Sequence, residues 1–173
     1  MDAAKFLLKM NYTNSERLAI KGASNGGLLV AAAAMRSPEL FKVVLAEVGV
    51  YDMLRYQHFT IGNHWKEEYG ISSDSLQFKN LIKYSPLHNV KNTVYPNMLI
   101  LTGGHDDRVP PFHSYKYTAL MQSKEKMVNP ILLYSEKNSG HSGQINGKNK
   151  YKADAMMISF LFYTMGIKPQ LIK

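Results

Sequence analysis

Four short apolar runs divide the sequence into segments of similar length. They cover residues 18–21 (LAIK), 43–50 (VVLAEVGV), 98–102 (MLILT) and 131–135 (ILLYS). Apolar runs of this length, rich in aliphatic residues and bounded by Gly, Pro and Asn, are typical of strands that are buried on both faces. The pattern therefore predicts four strands in the interior of the protein.

Helical segments alternate with these predicted strands. They are predicted over residues 26–36, 75–83, 113–126 and 154–165, and the first ten residues also have helical character. Strands that alternate with helices favour a mostly parallel sheet with helices on both faces, which binds ligands beyond the carboxyl ends of its strands. Since 173 residues match one domain and no internal repeat or boundary is visible, we expect one α/β domain over residues 1–173.

A glycine-flanked serine follows the first predicted strand. The segment Gly22-Ala23-Ser24-Asn25-Gly26 fits the G-x-S-x-G pattern, with a strand before it and a helix after it, as that motif requires. Side chains at both glycine positions are expected to collide in so sharp a turn. Ser24 is therefore a candidate nucleophile, and the backbone N–H of Asn25 is a candidate donor to an oxyanion. The alternative is a serine that only caps a helix.

Two further candidates lie in the loops after the third and fourth predicted strands. Asp106 belongs to TGGHDDRVP, residues 102–110, and His141 belongs to NSGHSG, residues 138–143. The chain order Ser, Asp, His is that of the α/β-hydrolases, in which the histidine takes the serine proton and the aspartate orients the imidazole. Taken alone, Asp106 is equally well explained as a loop carboxylate paired with Arg108, and His141 as a turn histidine.

Composition and charge narrow the range of functions. The net charge is +8, but the lysines are scattered and no run of five basic residues occurs, which disfavours nucleic-acid binding. The absence of cysteine excludes disulfides and thiolate metal sites, and no H-E-x-x-H or cofactor motif is present. The N-terminus does not have the pattern of a signal peptide, and no run reaches the ~20 apolar residues of a membrane span. We expect a soluble, cytoplasmic protein without metal or cofactor.

The motifs together resemble those of a known enzyme family. GASNGGLLVAA, VGVYDMLRYQHFTIGNHWKEEYG, TGGHDDRVPP and SGHSG are similar, in order and spacing, to the C-terminal part of the catalytic domain of the prolyl oligopeptidase (prolyl endopeptidase) family. The resemblance covers nearly the whole chain. It implies the C-terminal half of an α/β-hydrolase fold, and a serine endopeptidase that cleaves short peptides on the C-terminal side of proline.

The resemblance also implies roles for individual residues. Ser24, Asp106 and His141 match the family's catalytic triad, and Trp65 matches the indole that stacks on the substrate proline. An aromatic plate suits proline, which offers an apolar ring and no N–H. Arg108 matches the arginine that hydrogen-bonds a peptide carbonyl. Other walls of the proline pocket match Val50, Tyr69 and Val109.

The chain departs from the family in several places. Ala23 stands where the family usually has glycine, and Gly103-Gly104 replaces bulkier residues. The family's propeller, the first strands of its sheet, the tyrosine that supplies a second oxyanion donor and one pocket phenylalanine have no counterpart. We therefore expect full activity to need the missing N-terminal part of the enzyme, and we expect the protein partner to be that part or a second copy of the chain. The alternatives are an inactive truncated remnant and a basic interaction module.

Overall fold

A single parallel sheet forms the centre of the structure, a computed structural model that describes residues 1–142 and 151–170. Its strands, within those residues, are β1 (Ala19–Ala23), β2 (Val43–Glu47), β3 (Asn97–Gly103) and β4 (Ile131–Glu136). They lie in the order β1-β2-β3-β4, and every neighbouring pair is parallel. The four predicted strands and the parallel sheet are confirmed.

Helices cover both faces of this sheet. The α-helices of the described residues are α1 (Asp2–Lys9), α2 (Asn25–Arg36), α3 (Lys66–Tyr69), α4 (Ser75–Tyr84), α5 (Phe112–Gln122) and α6 (Lys152–Met165). None of the helices in this part of the chain is long and apolar enough to cross a membrane. The helices predicted from the sequence are all present.

The two faces of the sheet have separate cores because successive side chains of a strand point to opposite faces. One face packs against α2 and α5, and it includes Val44, Ala46, Met98 and Ile100. The other face packs against α6, and it includes Val43, Leu45, Leu99 and Leu101. The β2 and β3 residues in these two lists have almost no exposed surface, in agreement with the prediction of strands buried on both sides.

The second strand is shorter than the sequence predicts. The prediction continued to residue 50, whereas β2 ends at Glu47. Val48 adopts a φ of 42°, a left-handed conformation that no strand residue adopts, and its N–H donates to the Leu101 carbonyl at 2.8 Å. The apolar run continues to Val50 because Val50 is itself buried, outside the sheet.

The end of α5 also differs from the prediction. The helix was expected to reach residue 126, but it ends at Gln122. The N–H of Lys126 donates to the Asn92 side-chain oxygen at 3.2 Å instead of continuing the helical hydrogen bonds.

The connection from β2 to β3 is long and consists mainly of short helical pieces. Besides α3 and α4 it contains 3-10 turns at Tyr56–His58, Thr60–Trp65 and Pro86–Asn89. This connection shares an apolar cluster with Leu28 of α2 and Val109 after β3, and it carries most of the residues that were predicted to bind proline.

Candidate active site

Ser24 lies in a sharp turn between β1 and α2. Its φ of 58° and ψ of −119° are unusual for a residue with a side chain, and such strain is common at functional sites. The Ser24 N–H donates to the Glu47 carbonyl at 2.9 Å, which anchors the turn to the end of β2. A Cβ on Gly22 would lie only 2.2 Å from the Gly26 carbonyl oxygen, so the turn requires glycine at that position.

A collision was predicted for a side chain at either Gly22 or Gly26, and the structure shows it at Gly22 only. A Cβ on Gly26 would meet nothing within 4 Å. The neighbouring residue is the constrained one, since a Cβ on Gly27 would lie 2.6 Å from the Glu47 carbonyl oxygen and 2.9 Å from Gly49 Cα. Gly22 therefore allows the start of α2 to lie close to β1, and Gly27 allows α2 to approach the end of β2.

The predicted serine, histidine and aspartate lie together at the carboxyl edge of the sheet. His141 Nε2 is 3.0 Å from Ser24 Oγ, and His141 Nδ1 is 2.8 Å from Asp106 Oδ2. Because the carboxylate can only accept, Nδ1 carries the ring hydrogen and Nε2 is free to accept the serine proton. The Asp106 side chain is fully buried, whereas that of His141 is 19% exposed. This arrangement can increase the nucleophilicity of the serine hydroxyl.

Backbone contacts hold the aspartate in place. The second carboxylate oxygen, Asp106 Oδ1, accepts from the N–H groups of Arg108 at 3.0 Å and Val109 at 2.8 Å. No ion pair of the Arg108 side chain with Asp106 or Asp107 is present among the described residues. Asp106 is thus a buried hydrogen-bonded group and not the surface partner of Arg108.

The loops that carry Asp106 and His141 are bound to each other. The N–H of His105 donates to the Ser139 carbonyl at 2.9 Å. A Cβ on Gly103 would lie 2.4 Å from the Ser139 carbonyl oxygen, and one on Gly104 would lie 2.6 Å from the Lys137 carbonyl oxygen. The two glycines that replace bulkier residues therefore allow the two loops to approach closely. Gly143, the last residue of the predicted His141 motif, lies outside the described residues.

Asn25, the predicted oxyanion donor, is the first residue of α2. The N–H groups of the first helical turn have no carbonyl partner within the helix, so the Asn25 N–H can bind an anion beside Ser24. An open groove of about 750 Å³ extends from Asn25 along α2, and its walls include Leu28, Leu29 and Tyr69.

The residues predicted to form the proline pocket belong to one apolar cluster. Val50 and Val109 are each 2% exposed, and Trp65 and Tyr69 pack against the same cluster. Leu28 and Val109 connect it to Ser24 and Asp106, because the Leu28 N–H donates to the Ser24 carbonyl and the Val109 N–H binds Asp106. The cluster therefore borders the candidate catalytic residues.

Tyr56 organises this cluster, and the sequence analysis did not identify it. Its ring stacks on Trp65 with centroids 6.3 Å apart and contacts the Tyr69 ring edge-on at 5.5 Å. Its hydroxyl donates to the Gly70 carbonyl at 2.5 Å. Burial raises the pKa of both Tyr56 and Tyr69 to about 12, so the aromatic wall is uncharged at neutral pH. No local pattern distinguished Tyr56 from the other aromatic residues of this segment, because its contacts depend on tertiary packing.

The remaining predicted residue, Arg108, is largely exposed. Its N–H is bound to Asp106, and its carbonyl accepts from the Thr60 hydroxyl at 3.1 Å. The backbone of Arg108 is therefore fixed while its side chain faces solvent.

Of the histidines that the sequence analysis set aside as surface or packing residues, His113 is buried and the other four, His58, His64, His88 and His105, are exposed. No cluster of three or more His, Cys, Asp or Glu suited to a metal occurs in residues 1–142 and 151–170.

Known proteins share both the sequence and this arrangement of strands and helices. Residues 1–168 match the prolyl oligopeptidase family. The prolyl endopeptidase of Elizabethkingia meningoseptica is 45% identical over 168 residues, which are 96% of this chain and 24% of that protein. The prolyl endopeptidase of Dictyostelium discoideum is 44% identical over 171 residues, 96% of this chain and 22% of that protein.

Solved structures agree with the sequence comparison. The post-proline cleaving enzyme of Rickettsia typhi superposes with a TM-score of 0.92 at 33% identity, over 96% of this chain and 24% of that one. The fold is thus that of the α/β-hydrolase domain of prolyl oligopeptidases, and the chain spans about a quarter of the length of the relatives it matches. The chain belongs to the prolyl oligopeptidase family of serine peptidases.

Proposed function

We propose that this chain carries the catalytic triad of a serine endopeptidase that hydrolyses short peptides on the C-terminal side of proline. The observation that carries the proposal is the hydrogen-bonded series from Ser24 Oγ through His141 to the buried Asp106 carboxylate. The post-proline cleavage of the relatives supports the choice of substrate.

The geometry supports a defined sequence of proton transfers. As Ser24 Oγ attacks the carbonyl carbon of the proline residue, its proton passes to His141 Nε2 across the 3.0 Å hydrogen bond. Asp106 stabilises the imidazolium, and its own position is fixed by two backbone N–H groups. The Asn25 N–H stabilises the negative charge that develops on the carbonyl oxygen. His141 then gives the proton to the leaving amine, and water hydrolyses the acyl group on Ser24 with His141 as the base.

The apolar cluster supplies the preference for proline in this proposal. The indole of Trp65 stacks on the proline ring, and Val50, Tyr69 and Val109 exclude water around it. The exposed Arg108 side chain donates to a carbonyl of the peptide on the acyl side. No charged group is needed in the pocket, because the proline ring carries none.

The proposed activity needs polypeptide in addition to this chain. The relatives are about four times longer than this chain, and β1 is an edge strand within the described part of the sheet. A strand edge with free N–H and C=O groups pairs readily with another segment. We propose that the polypeptide corresponding to the rest of the relatives, or a second copy of the chain, completes the site and supplies further oxyanion donors.

Labelling of Ser24 by a fluorophosphonate tests the proposal. The probe reacts with activated serine hydroxyls, so intact mass should show one adduct on the purified chain. We expect no adduct with Ser24→Ala and a labelling rate lowered by at least about 10³ with His141→Ala, because the general base is lost. A folded sample without labelling would contradict the proposal and favour an inactive remnant. Retention on heparin that survives moderate salt would favour the basic interaction module.

The preference for proline has its own test. Trp65→Ala should lower the rate of cleavage after proline in a Gly-Pro reporter by about tenfold or more, as expected when an aromatic contact is lost. The labelling of Ser24 by the small fluorophosphonate should change little. Tyr12→Ala, which removes an aromatic that is 74% exposed, is the matched control. An unchanged proline preference in the Trp65→Ala protein would remove the role proposed for the indole.

A further inference from the structure

A second buried carboxylate lies outside the triad. Asp52 has no exposed surface, and its Oδ2 accepts from Lys116 Nζ at 2.6 Å and from Arg55 Nε at 3.0 Å. Burial favours the neutral acid, but the hydrogen bond and charge of Lys116 and the charge of Arg55 lower the pKa of Asp52 below its ordinary value, so it is charged at neutral pH. The charge must have a role that offsets the cost of its burial.

The backbone of the same segment is also bound to other parts of the fold. The Asp52 N–H donates to His113 Nδ1 at 3.1 Å, and the Met53 N–H donates to Ser85 Oγ at 3.0 Å. Lys116 and His113 are both on α5, whereas Ser85 follows α4. The residues at 52 and 53 therefore connect the segment after β2 to two other elements.

These connections join the two halves of the candidate site. On one side, Val50 and Met53, which lie two residues before and one residue after Asp52, belong to the cluster against which Trp65 packs. On the other side, α5 begins three residues after Val109, whose N–H binds Asp106. The ion pair between Asp52 and Lys116 thus links the pocket segment to the helix that follows the loop of the triad aspartate.

Fold stability alone is a weak explanation for this ion pair. Replacing a buried ion pair with apolar residues is often neutral or stabilising, so such pairs are more useful for fixing one geometry than for adding free energy. Charge-assisted hydrogen bonds are short and directional, which suits two segments that must keep a fixed relative position.

We propose that Asp52 is a positioning residue that holds the proline pocket in register with the triad, and so sets selectivity for proline and not the reactivity of Ser24. This inference rests on the proposed function. If the ion pair is lost, the residues of the pocket should become more mobile. The hydrogen bonds among Ser24, His141 and Asp106 should remain.

Asp52→Asn in the full chain tests the proposal with two measurements. Trp65 is the only tryptophan, so its fluorescence reports directly on the pocket. We expect acrylamide to quench this emission more strongly in the variant. The second measurement compares two probes of Ser24, an Xaa-prolyl diphenyl phosphonate and a small fluorophosphonate. We expect the ratio of the first labelling rate to the second to fall about tenfold, which is the effect of losing one hydrogen bond to a charged group.

Two other variants complete the design. Lys116→Gln removes the same ion pair by changing its partner on α5, so it should have the same effects. It is used in place of Asp52→Asn if that protein does not fold. Glu16→Gln is the matched control, because it removes an exposed ion pair with Lys42 of 2.6 Å that lies before β1 and β2, at the opposite end of the sheet. We expect neither the quenching nor the labelling ratio to change in Glu16→Gln.

The outcomes are distinguishable. Unchanged quenching of Trp65 in the folded Asp52→Asn and Lys116→Gln proteins would overturn the proposal. An equal fall in labelling by both probes would also overturn it, because the carboxylate would then support the fold or the triad in general. If the unaltered chain is labelled by neither probe, the proposed function fails, and the quenching of Trp65 still decides whether Asp52 holds the pocket.

Discussion

At the residue scale, the turn at Ser24 depends on one glycine of the motif more than on the other. Alanine at position 22 would place its Cβ 2.2 Å from the Gly26 carbonyl oxygen, which is backbone and cannot rotate away. We expect Gly22→Ala to lower the free energy of unfolding by roughly 1–3 kcal/mol, as overpacking does, and to abolish fluorophosphonate labelling. Urea unfolding and intact mass measure the two effects.

Gly26→Ala is the matched control for that prediction. Its Cβ would meet nothing within 4 Å, and alanine is the better helix former in α2. The free energy of unfolding should therefore change by no more than about 1 kcal/mol, and labelling should persist. Equal loss of labelling in both variants would contradict the prediction. It would mean that the turn tolerates a side chain at neither position, although the space around Gly26 is open.

The sequence predicted that Ser24, Asp106 and His141 lie close together, but not the residues that surround them. Ser24, Asp106 and His141 each follow a recognisable strand, and parallel strands bring their carboxyl ends to one edge, so juxtaposition follows from topology. Asp52 gives no such signal, because its partner Lys116 is 64 positions away and contact depends on how α5 packs. Tyr56 was missed for the same reason. Tertiary packing, not local pattern, determines both.

At the scale of elements, apolar runs predicted strand positions well and strand ends less well. In the run at residues 43–50, residues 43–46 are buried in the sheet, Glu47 and Val48 are partly exposed, and Val50 is buried in the apolar cluster around Tyr56. Burial alone cannot distinguish these two environments. Val48, with its φ of 42°, separates the two environments. The sequence does not predict this conformation, because β-branched residues rarely adopt it.

Apart from α4, the short helical pieces after β2 were not predicted, because tertiary contacts fix them. Each of the 3-10 turns at Tyr56–His58 and Thr60–Trp65 is too short to have a clear apolar period. They are held by contacts such as the Tyr56 hydroxyl to the Gly70 carbonyl and Gln57 Nε2 to Ser72 Oγ at 2.8 Å. Such contacts exist only after the connection has packed against the rest of the fold.

At the scale of the whole molecule, a buried histidine couples stability to pH. His113 is 2% exposed on α5, and burial lowers its pKa to about 4 from 6.5. Its Nδ1 accepts from the Asp52 N–H, which requires the neutral ring. In the unfolded chain the ring is protonated below pH 6.5, so between pH 6.5 and 4 the unfolded state holds more protons. Stability is therefore complete above pH 6.5 and falls as the pH approaches 4.

The size of this effect is large enough to measure. The shift of the His113 pKa implies a loss of roughly 2–3 kcal/mol between pH 7 and pH 4.5. Burial also lowers the pKa of His88, which adds a smaller loss of the same sign. His113→Gln keeps an oxygen that can accept the Asp52 N–H but cannot titrate, so urea unfolding at the two pH values should show a much smaller difference. His64→Gln, at an exposed site, should keep the difference seen in the unaltered chain. If His113→Gln kept it too, the pH dependence would have to come from groups other than the buried imidazole.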